Sequence, residues 1–148
     1  MTFYREKFKI YSFDCDHNAK TRLEPLVAYM GEASIQETIK VMEGVKGYEN
    51  YAWVLYQWEI NILDLPKMYD EVYIETALTG TKKFYAYRTF RIFDEDENLL
   101  VEGKTKWLLL DRKTGIPTRI PDAMMDYYKL DDGAEKVGKD LKIKEVEF

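Results

Sequence analysis

The sequence predicts an α+β domain in which a curved antiparallel sheet wraps around one long helix. Three observations carry that expectation. One segment, LEPLVAYMGEASIQETIKVMEG at 23–44, has helical periodicity. Four later segments rich in β-branched and aromatic residues read as long strands. A short alternating stretch precedes the helix, so the order is strand, helix, then four strands. One helix with one apolar face is best covered by one sheet.

The opening strand is read across Phe8, Ile10 and Ser12, alternating with Lys9, Tyr11 and Phe13. It runs into Asp14, Cys15, Asp16, His17 and Asn18, which include the chain's only cysteine and only histidine. In the helix, Pro25 suits the first turn and Gly44 is a natural terminator. At about 100° per residue, Leu26, Val27, Met30, Ser34, Thr38, Val41 and Met42 share one side. Glu32, Gln36, Lys40 and Glu43 fall opposite. Gly31 and Ser34 lie on or beside the apolar face, where something can approach the backbone closely. YAWVLYQWEINIL (51–63) ends at Leu65-Pro66, and EVYIETALT (71–79) is followed by a turn at GTKK. FYAYRTFRIF (84–93) and LLVEGKTKWLLLD (99–111) flank DEDEN and form a hairpin. The segment 118–130, with Pro121 and a Met-Met pair, reads as irregular. The domain is placed at 1–130 and a charged tail or linker at 131–148. A sheet that covers one helix leaves long edges that must be covered or paired, so a dimer is expected.

Composition narrows the function classes. A chain of 148 residues can bury a sizeable core as one domain. Twelve tyrosines suit sheet faces, interfaces or a ligand channel, because each ring has an apolar body and a polar tip. The net charge of −5 argues against nucleic acid as a partner. The stretch from Lys82 to Arg119 is nevertheless basic, and Lys82, Lys83, Arg88 and Arg91 could meet an acidic partner or a phosphate. A lone cysteine allows no intrachain disulfide and fits a reducing compartment. There is no secretory h-region and no run near the ~20 apolar residues of a spanning helix. A soluble cytoplasmic protein without membrane partners is expected. With one histidine and one cysteine, and no Walker loop, CxxC or HExxH, neither a metal nor another cofactor is expected.

The strand-helix-four-strand order is that of the hot-dog fold, and the residues resemble the first half of an acyl-ACP thioesterase. The resemblance rests on YSFDCDHNAKTRLEPLVAYMGEAS, on WVLYQWEINILDLPKMYDEVYIET, and on FYAYRTFRIFDEDENLLVEGKTKWLLLDRKTGIPTRIP, whose WLLLDRKTGIPTRIP ending is the most specific part. It implies hydrolysis of fatty acyl thioesters of acyl carrier protein or coenzyme A. It also implies a usual pair of tandem hot-dog domains, with the catalytic Asp-x-Asn-x-His motif and a Val-Asn-Asn run near the start of the second. In this chain Asp16 and Asn18 match the first two motif positions, Lys20 stands at the histidine position, and Leu23 and Glu24 do not restore the Val-Asn-Asn run. Single-domain hot-dog enzymes acting on acyl-CoA carry two aspartates spaced as in FDCD, which again points to Asp16, although HNAKTR stands where their glycine and histidine would follow.

The chemistry is plausible for few groups. A thioester is a good electrophile, so one carboxylate can serve as nucleophile or as base for water. Backbone N–H groups at the helix N-terminus, near Leu26 to Ala28, would hold the oxyanion, and Asn18 could orient the water. Against this, Asp16 and Asn18 are also the residues a polar turn uses for side-chain to backbone bonds. Asp14 and Asp16 would share a face if the strand continued. A Cys15–His17 dyad is disfavoured by the flanking aspartates. Glu32 and Asp64 are weaker carboxylate candidates. Met30, Trp53, Trp58, Phe90 and Arg88 are candidates for binding an acyl substrate, although each of the apolar ones suits plain core better. Three roles follow: an acyl thioester hydrolase; a non-catalytic acyl-binding module, paired as a homodimer or with a second hot-dog domain that does the chemistry; or a purely structural dimerisation domain, which would require a filled core.

Overall fold

The computed structural model describes residues 3–128. The order is β1 (Tyr4–Lys9), α1 (Leu23–Val41), β2 (Tyr51–Ile62), β3 (Glu71–Lys82), β4 (Tyr85–Phe93), β5 (Leu99–Asp111) and α2 (Asp122–Tyr128). Short 3₁₀ turns at Ser12–Asp14 and Tyr48–Asn50 lead into the loop before α1 and into β2. The five strands form one antiparallel sheet in the order β1-β3-β4-β5-β2. Its concave face receives α1, as the sequence predicts.

The boundaries differ from the sequence reading in four places. The first strand lies earlier, at Tyr4–Lys9, because Tyr4 and Phe8 turn inward with Glu6, whose carboxylate accepts the Tyr4 hydroxyl at 2.6 Å. Asp14 and Asp16 therefore do not extend a strand face. The α1 helix stops at Val41, and Gly44 and Gly47, at φ 79° and 81°, turn the chain toward β2. β3 runs on through Gly80 to Lys82 after a bulge between Leu78 and Gly80, so the turn is tighter than GTKK and Lys83 takes φ 56°. The segment expected to be irregular contains α2, which buries Met124, Met125 and Tyr128 over one end of the helix–sheet layer. The expected tail at 131–148 lies outside the described residues.

Two apolar clusters make the core. One gathers Leu26, Met30 and Ala33 of α1 against Ile74, Phe90, Ile92 and Val101. The other gathers Leu78, Ala86 and Leu109 under Met42, Met124 and Met125. Phe90 pairs across the ladder with Gly103. A Cβ at Gly103 would lie 3.7 Å from Ile60 Cγ1 and 3.8 Å from Met30 Sδ, ordinary van der Waals contact. Gly103→Ala is accordingly expected to be neutral or stabilising by up to about 1 kcal/mol, since glycine weakens a strand interior. Gly103→Leu must push Met30 and Ile60 aside and is expected to cost roughly 1–3 kcal/mol. Denaturant midpoints of the two variants check both signs.

Candidate functional site

The loop between β1 and α1 is stitched to the segment before β3. Ile10 N–H donates to Asp70 O and Tyr69 N–H returns to Ile10 O, at 2.9 and 2.7 Å. Thr21 donates to Pro66 O from both its N–H and its hydroxyl, and Met68 N–H donates to Ala19 O. The loop tip is exposed, and Asp16 closes it. Asp16 Oδ1 accepts the N–H groups of Asn18 at 2.8 Å and Lys20 at 3.2 Å. These bonds, led by that of Lys20, hold the Asp16 carboxyl below the usual carboxylate range. Ala19 takes φ 59° to complete the turn. Asn18 contributes its backbone N–H here, and its side chain is exposed.

Asp14 is the better-buried carboxylate. It accepts a short hydrogen bond from the Tyr29 hydroxyl on α1. Burial and that bond push the Tyr29 hydroxyl up to about 12. Cys15 is raised, first by burial and then by the Asp14 and Asp16 charges. No thiolate is favoured there, and His17 lies exposed at the loop tip.

The N-terminus of α1 follows directly. Arg22 N–H is already bound to Asp14 O at 2.8 Å, and Leu26 N–H to Arg22 O at 3.3 Å. Pro25 has no N–H, so among the described residues helix geometry leaves the Leu23 and Glu24 N–H groups without an intrahelical acceptor, one turn before the expected Leu26–Ala28. The other carboxylate candidates lie apart from this loop. Glu32 is exposed on the outer face of α1 and accepts from Gln36. Asp64 is exposed after β2 and caps the N–H of Leu65.

A cavity of about 120 Å³ lies between α1 and the sheet, beyond the middle of the helix. Gly31, Ser34, Ile35 and Thr38 form its helix side, and Trp53, Leu78, Ala86 and Trp107 its sheet side. Tyr48, Arg88 and Met124 complete it. None of residues 11–20 borders it. Of the predicted substrate-binding residues it includes Trp53 and Arg88. Met30 and Phe90 are packed in the neighbouring apolar cluster, and Trp58 is 44% exposed on the edge strand β2.

Arg88 is buried, with Nη1 2.7 Å from Glu37 Oε1 and 3.0 Å from Thr76 Oγ1. Its Nη2 lies 3.3 Å from the Tyr128 hydroxyl. Burial raises the Tyr128 hydroxyl well above its ordinary value. Glu37, 0% exposed, was missed by the sequence reading. Its signal was positional, because it sits between Ser34 and Thr38 on the inward arc of the helix. Among the described residues no three His, Cys, Asp or Glu side chains are grouped to hold a metal, and no helix is long and apolar enough to cross a membrane.

A curved five-stranded sheet closed over one helix, with this loop at the helix N-terminus, is the hot-dog fold of thioesterases. The chain belongs to the acyl-ACP thioesterase N-terminal domain family, whose pattern matches residues 1–128. Its fold is similar to that of a putative oleoyl thioesterase from Lactobacillus plantarum, with a TM-score of 0.85 at 20% identity, over 99% of this chain and 58% of that one. An acyl-ACP thioesterase from Bacteroides thetaiotaomicron gives 0.78 at 17%, over 99% and 60%. The 12:0-ACP thioesterase from Umbellularia californica gives 0.74 at 19%, over 98% and 57%. The chain thus spans about three-fifths of the length of these proteins. None of the curated proteins matches its sequence.

Proposed function

We propose that this domain serves fatty acyl thioester hydrolysis by holding the acyl chain, while a second hot-dog domain supplies the catalytic groups. The observation that carries this reading is the apolar cavity between α1 and the sheet, open rather than filled by side chains. An alkyl chain leaving water for such a cavity gains roughly 0.8 kcal/mol per methylene. The thioester would come from acyl carrier protein or coenzyme A, in a cytoplasmic setting. The second domain would be another copy of this chain or a tandem unit. Strand β2 offers the edge for pairing, with Val54, Tyr56, Trp58 and Ile62 exposed along it. The cavity's exposed rim residue Ile35 and half-buried Trp53 lie toward that edge.

A second reading is supported by the Leu23 and Glu24 N–H groups, which helix geometry leaves without intrahelical acceptors beside the Asp16 loop. In it Asp16, with Asn18 orienting water, takes the proton as the water oxygen attacks the carbonyl carbon. The C–S bond then breaks, and the leaving thiolate is protonated. A carboxyl held below its usual range is a weak base at neutral pH, which works against this role.

The test is binding and hydrolysis of acyl-ACP and acyl-CoA thioesters by this chain and by Asp16→Asn. The expected outcome is saturable binding to both proteins and no hydrolysis that depends on Asp16. Turnover that falls about 100-fold or more in Asp16→Asn would transfer the chemistry to this loop. Asparagine keeps the Oδ1 acceptor, so the turn persists and the comparison is fair. Absence of any acyl binding would refute the proposal.

A further inference from the structure

The cavity has a direction. At its outer end Ile35 is 52% exposed, with Tyr48 and Trp53 half-buried beside it. At its inner end Leu78, Ala86, Arg88 and Met124 are all buried. The outer end lies beside β2, the edge of the sheet, and the inner end reaches β4 and β3 in its interior. There Arg88 reaches from β4 to Glu37 on α1 and bridges the gap between helix and sheet. Thr76 on β3 and Tyr128 on α2 hold the guanidinium in place. Glu37 Oε2 is buried and has no hydrogen-bond partner among the described residues.

We infer that Arg88, held in place by its ion pair with Glu37, is the end wall of the acyl site and sets the longest alkyl chain it accepts. This deepens the acyl-holding reading and rests on it. A chain that stops short of the wall meets apolar side chains and Thr or Ser oxygens already bonded within the helix, as Ser34 is to Gly31 O and Thr38 to Ser34 O. A chain one or two carbons too long must press a methyl group against a charged pair. It can neither hydrogen-bond there nor be accommodated without separating the two charges, and separating a buried pair is costly. The wall therefore discriminates by length. It also discriminates by terminal chemistry. Of the two Nη2 hydrogens, one is directed to Tyr128. A hydroxyl at the end of a chain can accept from a guanidinium N–H and a methyl cannot, so a terminal hydroxyl is tolerated where a methyl is not.

The probes are saturated fatty acids and their coenzyme A thioesters, lengthened two carbons at a time. With the natural sequence, affinity is expected to rise about fourfold per methylene up to a limit and then level or fall. The double variant Glu37→Leu/Arg88→Met replaces the wall with apolar groups of similar size. Its limit is expected to move to longer chains by at least one step in the series. On the unmodified chain, an acyl group one step past the limit is expected to bind several-fold better with a terminal hydroxyl than without one. An unchanged limit in the folded double variant overturns the inference and leaves the acyl site standing. Should the double variant not fold, the terminal-hydroxyl comparison decides, and equal affinities overturn the inference. Failure of every chain to bind the unmodified protein removes the acyl-holding reading itself, an outcome distinct from an unmoved limit.

Discussion

Arg88→Met is expected to lower the unfolding free energy by about 3–5 kcal/mol. The Glu37 carboxylate is fully buried, and the Arg88 guanidinium beside it is 5% exposed. Removing the cation leaves a buried carboxylate without its guanidinium, and one of its oxygens already lacks a hydrogen bond among the described residues. A loss of that size is a large fraction of the ~5–15 kcal/mol by which a domain is stable. Thr76 and Tyr128 would also lose the guanidinium donor, although Thr76 keeps its bond to Thr89 O. The double variant Glu37→Leu/Arg88→Met is expected to be far closer to neutral, because desolvating two charges costs most of what their attraction returns. A double-mutant cycle of denaturant unfolding free energies measures the difference. Additive losses would show that the pair is better hydrated than its burial implies.

This pair also marks the limit of what the sequence discloses. The strands were legible because alternation and β-branched content survive burial: β5 falls on the predicted 99–111, and β2 ends one residue from its predicted end. Helix α1 was legible from its apolar arc. Glu37 was not, because a charged residue on a helix is read outward unless something opposite compensates it. The compensation is Arg88, 51 residues away, and only the register of β4 brings it there. Arg88 itself was noticed for its charge and assigned to an acidic partner or substrate, whereas Ala86, Arg88 and Phe90 alternate on one face of β4. The short helix α2 escaped because seven residues hold too little periodicity to stand out after Pro121. Its Met124, Met125 and Tyr128 nonetheless follow helical spacing. In the loop, Asp16 and Asn18 were read both as catalytic candidates and as turn-formers, and the turn bonds are the part that the fold displays. Backbone bonds to Asp16 Oδ1 could not be read without the path of residues 16–20.

Gly31→Leu is expected to raise stability and weaken acyl binding together. Gly31 lies in the interior of α1, where glycine costs about 0.8–1.0 kcal/mol relative to alanine. A Cβ there meets nothing within 4 Å, and the open space it enters is the cavity. Gly31→Ala should therefore recover the propensity term alone. Gly31→Leu should add apolar burial against Trp53 and Trp107, with no steric debt on the helix side. If the acyl chain occupies that space, the leucine side chain displaces two or three methylenes. At roughly 0.8 kcal/mol each, affinity falls about 15- to 60-fold. Thermal unfolding and acyl-CoA titration of the same two variants read the two effects separately. Greater stability with unchanged binding would place the acyl chain elsewhere on the domain. Lower stability would mean that the helix packs more tightly on the sheet than its open glycine indicates. Opposite signs in one variant are what a functional void produces, because a cavity kept open for a ligand sacrifices packing that the apo-protein would otherwise gain.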